Sequence, residues 1–346
     1  MTTVPVIVLA GFLGAGKTTL LNHVLREAGD ARFGVIVNDF GTVNVDALLV
    51  AGQVDGVVGF GNGCLCCATD SDGFEDAVST LVRTDLDAVL VEASGIAEPR
   101  SLVRRVVALD DDRAAYGGLV YVVDAAAFAT GDLPDEALAQ ARDADLVVVN
   151  KADLVDAAAL DRLRLRLDGI NDSAPRVTTA EAAIDPALLV DARDRAAHAG
   201  PQQLTLDALL RDEEPAHDHG EVHLHDRYQQ HTWENNGPVN PRALARLLER
   251  PPAGCYRLKG WAHVESEYYT GTLEFSAVGG RVRATRARRR GSAAENVVVL
   301  IGVGMDDADL DRALAELAEV EPDDEYGVLS LLRYDPVTVA GPADTD

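Results

Sequence analysis

Nine residues near the start carry a recognisable chemistry: Gly11, Phe12, Leu13, Gly14, Ala15, Gly16, Lys17, Thr18 and Thr19. They fit G-x-x-x-x-G-K-[ST], a loop whose backbone N–H groups turn inward around a phosphate. Gly14, Ala15, Gly16, Lys17 and Thr19 would hold phosphates, with Lys17 reaching the outer ones, and the Thr18 hydroxyl would ligate Mg²⁺. A second group is Glu92, at the end of an apolar run, with Gly95 just beyond it. An acid at such a strand end stands near Mg²⁺, and the glycine is placed for the γ-phosphate. The third group, Asn150-Lys151-Ala152-Asp153, reads as N-K-x-D. The Asp153 carboxylate can accept from both the ring N–H and the exocyclic amine of guanine, a pair adenine does not offer. Asn150 would bond the other base edge, and the Lys151 stem would pack on the ring.

Two further clusters have ligand chemistry. Cys64, Cys66 and Cys67 sit in the glycine-rich stretch Gly59-Phe60-Gly61-Asn62-Gly63-Cys64-Leu65-Cys66-Cys67. Three thiolates within reach of one soft cation leave a fourth position of Zn²⁺ open, as a transferable metal requires. Asp39 follows the apolar residues 35–37 and is a candidate for the metal or for attacking water, with a plain turn aspartate as the alternative. Five of the eight histidines lie between His217 and His231. They suit a borderline cation or simply a solvated polar linker.

The elements that must position these groups alternate. Residues 4–10 read as a buried strand, and Leu20, Leu21, Val24 and Leu25 as one face of the helix after the loop. Strands are expected at residues 35–37, 87–92, 119–123 and 146–149, and helices over 74–82 and 99–109. Residues 46–58 read as a polar excursion of hairpin type. Residues 177–180 are placed to close a base pocket from the last strand. The pattern predicts an α/β domain with a mostly parallel sheet over residues 1–195 and an acidic, His-containing linker over 196–226. A small α+β domain is expected over 227–340. In it, Asn240 caps a helix that opens at Pro241, and residues 306–320 form an amphipathic helix. The arginine-rich residues 281–290 are either a partner-binding edge or a strand edge guarded by charge.

Composition narrows the class. Of 346 residues, 47% are hydrophobic, which marks a globular chain. The 31 basic and 57 acidic side chains leave a formal charge of −26, unsuited to nucleic acid or an anionic membrane. Only Lys17, Lys151 and Lys259 are lysines. An acidic, lysine-poor chain is expected of a salt-adapted cell interior, with an acidic protein of a GC-rich genome as the alternative. The cysteine pattern points to a reducing compartment rather than a disulfide framework. With no charged leader before residue 5 and no membrane-length apolar run, the expected location is cytoplasmic.

Together these residues resemble the CobW-type metallochaperone family of P-loop GTPases. The resemblance rests on residues 11–19, 38–41, 63–67, 92–95 with Ala97-Glu98-Pro99, and 150–153. In the second unit it rests on Arg257-Leu258-Lys259-Gly260 and Leu300-Ile301-Gly302. The family usually carries Glu where this chain has Asp39. The resemblance implies GTP hydrolysis to GDP coupled to delivery of Zn²⁺ or Co²⁺ to a client apo-metalloprotein. Thr18 and Glu92 would manage Mg²⁺, while Lys17, Glu92 and Asp39 are the catalytic candidates. Guanine would be held by Asn150, Lys151 and Asp153, and the cargo by Cys64, Cys66 and Cys67. Two other classes fit the same residues. One is a metal buffer whose nucleotide is structural, the other a nucleotide-dependent assembly factor without metal. Self-association stays open.

Overall fold

A computed structural model describes residues 3–27, 29, 31–37, 54–59, 71–95, 98–190, 229–278, 281–287, 295–320 and 325–334. Seven strands form the first sheet: β1 (Val4–Gly11), β2 (Phe33–Val37), β3 (Val54–Gly59), β4 (Ala88–Glu92), β5 (Ala114–Asp124), β6 (Leu146–Asn150) and β7 (Arg176–Thr178). Their order is β3-β2-β4-β1-β5-β6-β7, and every described pairing is parallel. Parallel strands need crossovers that cover both faces, so the central strands are apolar on both sides. In β1, Val4, Val6, Val8 and Ala10 face one core with Phe74, Val78, Leu102, Val106, Leu163 and Leu167 from three helices. Ile7 and Leu9 face the other, with Leu20, Leu21, Val24 and Leu25 of the helix Lys17–Glu27. Each fully buried side chain of this size contributes about 1.5–3 kcal/mol.

The polar excursion expected over residues 46–58 is corrected in its last part. Val54–Gly59 is an edge strand parallel to β2, with Gly34 opposite Gly56 and Val37 opposite Gly59. Two glycines and an aspartate in six residues weaken any strand signal. The backbone ladder to β2 decides the outcome.

The second unit is an antiparallel sheet of β8 (Gln229–Asn236), β9 (Cys255–Glu265), β10 (Thr270–Val278), β11 (Arg281–Arg286) and β12 (Glu295–Gly302), in the order β11-β10-β9-β12-β8. Three helices, Pro241–Glu249, Asp307–Leu317 and Glu325–Leu332, enclose its own core. Asn240 caps the first, its side chain accepting from the N–H groups of Arg242 and Ala243. The last helix escaped the sequence reading because it has no polar face: Val328 and Leu331 are buried while Tyr326 and Leu329 are exposed.

The two units meet at a pair of β-bulges. Tyr116 lies opposite Val6 and Gly118 opposite Ile7, so Gly117 is extra in β5. Arg257 pairs with Ile301 and Cys255 with Gly302, so Tyr256 is extra in β9. A bulge re-aims the side chain it carries. Tyr256 turns into the first unit's core and donates to the Gly117 carbonyl at 3.3 Å. Gly118, at φ +116°, leaves the space: a Cβ there would lie 2.5 Å from the Tyr256 hydroxyl. The arginine-rich edge answers to the same contact. Arg281 stands 4.9 Å from the Tyr116 ring centroid, and Arg283 donates to the Asp112 and Ala114 carbonyls at 3.2 and 3.4 Å. Neither sequence alternative for β11 anticipated that two of its arginines contact the first domain of the same chain.

Candidate functional site

The site is built where the strands of the parallel sheet end, the usual ligand crevice of such sheets. Gly11 closes β1, and the loop turns into the helix that begins at Lys17. Gly16 adopts φ +105°, and a Cβ on it would meet Asn150 Nδ2 at 2.4 Å. The glycine is therefore required twice, by its backbone angle and by its neighbour. Lys17 is buried and donates to the Gly11 and Phe12 carbonyls at 3.0 and 3.2 Å. Burial lowers its pKa from the ordinary lysine range, an effect partly offset by the charge of Glu92. A phosphate would add to the counter-charge that Glu92 offers this ammonium.

Glu92 ends β4 and is buried. Its Oε1 accepts from the Thr18 hydroxyl at 2.6 Å. A hydroxyl and a carboxylate side by side are hard oxygen donors of the kind Mg²⁺ selects, so these two residues fit the ion and would hold it. Gly95 lies under the phosphate loop: a Cβ on it would be 2.7 Å from Leu13 Cδ2. Gly14 and Thr19 are exposed along the same loop, while Ala15 is buried beneath it.

The N-K-x-D residues leave β6 at its carboxyl end. Asn150 is buried, and both ends of its amide are engaged by the protein. Its Nδ2 donates to the Ala15 carbonyl at 2.9 Å, and its Oδ1 accepts from the Ala182 N–H at 2.7 Å. Through these two bonds Asn150 ties the phosphate loop to the segment after β7. Lys151, in the left-handed region at φ +59°, pairs with Asp124 Oδ2 at 2.6 Å. Asp153 follows, exposed, in the short turn Ala152–Leu154.

Asp124 is the residue the sequence reading passed over. It ends β5, caps the next helix by accepting from the Ala127 N–H, and orients Lys151 with its second oxygen. The available signal was the one that picked out Glu92, a carboxylate closing an apolar strand of the same sheet. Residues 177–180, expected to close the base pocket, lead into Glu181 and Ala182, both at positive φ. This stretch reaches the site through Ala182 and Asn150. Asp39, Cys64, Cys66 and Cys67 lie outside the described residues, as do His217, His219, His223 and His225. Among the described residues no group of three or more His, Cys, Asp or Glu side chains is arranged to hold a metal ion.

This is a P-loop nucleotide fold carrying a second, antiparallel domain. Residues 5–178 match the CobW/HypB/UreG nucleotide-binding domain, and residues 228–318 match the cobalamin synthesis protein CobW C-terminal domain. The chain belongs to the CobW family. Among curated relatives, the zinc chaperone CobW of Sinorhizobium sp is 29% identical, with 88% of this chain aligned to 94% of that one. The zinc chaperone YjiA of Escherichia coli is 33% identical, over 55% of this chain and 61% of that protein. Zinc-regulated GTPase metalloprotein activator 1 of Dictyostelium discoideum is 39% identical over 28% of this chain and 23% of its own. Among solved structures, Zn(II)-bound YjiA GTPase from E. coli aligns with 92% of this chain at 22% identity and a TM-score of 0.43.

Proposed function

We propose that this chain is a cytoplasmic, Mg²⁺-dependent GTPase that binds Zn²⁺ or Co²⁺ through Cys64, Cys66 and Cys67 and delivers it to a client apo-metalloprotein. The observation that carries the GTPase half is the convergence of four strand ends. The Lys17 and Thr18 loop after β1, Glu92 at the end of β4, and Lys151 with Asp124 at the ends of β6 and β5 occupy one edge of one sheet. The metal half is supported by the three cysteines and by the zinc chaperones among the relatives. The working units are residues 1–195 for nucleotide and metal, 196–226 as a linker, and 227–340 as the second domain.

In this reading the loop N–H groups and Lys17 bind the outer phosphates and offset charge that grows on them during transfer. Mg²⁺, held by Thr18 and Glu92, supplies further charge neutralisation when bound. Asp39 is the candidate for placing the attacking water. Lys151, steered by Asp124, covers the base, and Asp153 reads it.

Base reading is tested by Asp153→Asn. The carboxamide presents a donor where guanine also donates, whereas xanthine offers a carbonyl. Loss of one charged hydrogen bond costs about 1.5–3 kcal/mol, so GTP affinity should fall roughly tenfold or more while xanthosine triphosphate gains. Equal turnover of ATP and GTP by the unaltered protein, or an Asp153→Asn variant with unchanged preference, would remove the assignment.

A further inference from the structure

We propose that the C-terminal domain is part of the nucleotide site's support, and that Arg257 is the positioning residue through which it acts. The proposal rests on the nucleotide reading above and adds regulation to it. Arg257 follows the Tyr256 bulge and donates from Nη1 to the Leu189 carbonyl at 3.0 Å. Leu189 belongs to residues 179–190, a stretch without a long element of its own. Its Ile184, Leu188, Leu189 and Val190 are all buried in the core shared with Tyr256.

That stretch leads directly to the phosphate loop. The Ala182 N–H donates to Asn150 Oδ1, and Asn150 Nδ2 donates to the Ala15 carbonyl inside the loop. The Ile184 carbonyl lies 2.9 Å from His23 Nε2 on the helix that begins with Lys17. Glu181 and Ala182 hold φ values of +52° and +55°, which non-glycine residues keep only when their surroundings dictate it. One short segment is thus tied to the phosphate loop through Asn150 and directly to the helix behind it and to the second domain. A contact that fixes one end of the segment restricts the other.

By linkage, anything that tightens nucleotide through this segment is itself tightened by nucleotide. A client or metal that shifts the second domain on the Tyr256–Arg257 contact would therefore alter nucleotide affinity without touching the ligand. Arg257 acts through Leu189 and not on the phosphates or the base. Its loss should weaken GDP and GTP together and leave guanine selectivity unchanged.

The test measures the affinity and release rate of a fluorescent GDP on the full chain for the unaltered protein, Arg257→Ala, Arg257→Lys and Arg283→Ala. Arg283 bonds the same interface at Asp112 and Ala114, away from the segment. The expected result is a loss of about fivefold or more in Arg257→Ala, within the usual range of such couplings. Arg257→Lys, which keeps a donor for the Leu189 carbonyl, should recover part of it. Arg283→Ala should stay within about twofold, and the preference for guanine over adenine should be the same in all four. Affinity in Arg257→Ala equal to that of the unaltered protein overturns the proposal and leaves the nucleotide reading standing. Equal losses in Arg257→Ala and Arg283→Ala also overturn it, since they report a general loosening of the interface. An unaltered protein that binds neither GDP nor GTP overturns the nucleotide reading itself. If Arg257→Ala proves unfolded by circular dichroism, Arg257→Lys decides alone: the proposal stands on a smaller loss with selectivity kept and falls on none.

Discussion

Asp145 shows how a single half-buried group near the domain contact responds to pH. It accepts from the Tyr116 hydroxyl and from the Leu119 N–H, the latter at 2.7 Å. Burial nevertheless raises its pKa above the ordinary carboxylate value of 3.8; the two hydrogen bonds and Arg281 offset this only in part. A carboxyl with a raised folded pKa binds its proton more tightly in the folded state. Its stabilising contribution is fully present below pH 3.8 and is lost as pH rises through the folded value. Asp145→Asn has no such titration. The melting temperature of the unaltered protein minus that of Asp145→Asn should therefore fall as pH is raised from about 4 to 7. A difference that is flat or rises over that range would contradict the assignment. Other residues differ in how far the sequence exposes them. Lys17, Thr18 and Glu92 were legible because each belongs to a short pattern whose spacing implies its role. Asp124 was not, nor was the tie from Asn150 to Ala182, because these contacts join residues 27 and 32 positions apart that only the tertiary crossing brings together.

At the scale of elements, strong periodicity translated directly into structure. The strands expected at residues 4–10, 35–37 and 146–149, and the helix opening at Pro241, all form, since local pattern and burial agree there. At β3 and at the domain contact, tertiary pairing outweighed local composition. β3 contains Gly56, Gly59 and Asp55, and it is a strand because β2 offers it a ladder. The bulges at Gly117 and Tyr256 leave no periodic trace, yet they join the domains. Gly118 gave a signal without an address: a glycine inside an apolar strand marks a close approach, and only the fold shows that Tyr256 is what approaches. The arginine-rich stretch read either as a partner-binding edge or as a strand edge guarded by charge, and Arg281 and Arg283 of β11 contact the first unit of the same chain.

At the scale of the whole molecule, the formal charge of −26 is spread over the linker and the two domains it joins. Self-repulsion grows as the Debye length lengthens from ~3 Å at 1 M salt to ~30 Å at 0.01 M. The melting temperature should fall as salt is diluted over this range, and a flat profile would count against salt adaptation. Among the described residues no helix is long and apolar enough to cross a membrane. The nucleotide and cargo readings are joined by order along the chain: Asp39 and the cysteines fall between the phosphate loop and Glu92. A γ-phosphate can order a loop that hydrolysis then releases, so the GTP form should bind cargo metal more tightly than the GDP form. Reciprocity requires the metal to tighten GTP by the same factor, typically ~5–150-fold.

The most direct measurement is a titration of Zn²⁺ into the protein loaded with GDP or with a non-hydrolysable GTP analogue, repeated with each nucleotide titrated in the presence and absence of Zn²⁺. Tighter Zn²⁺ binding with the analogue is expected, with an equal gain for the analogue when Zn²⁺ is present. Paired Cys66→Ser and Cys67→Ser substitutions should erase that difference and keep the guanine preference. Equal Zn²⁺ affinity in the two nucleotide states would contradict a GTP-driven metal-release switch and favour a metal buffer whose nucleotide is structural.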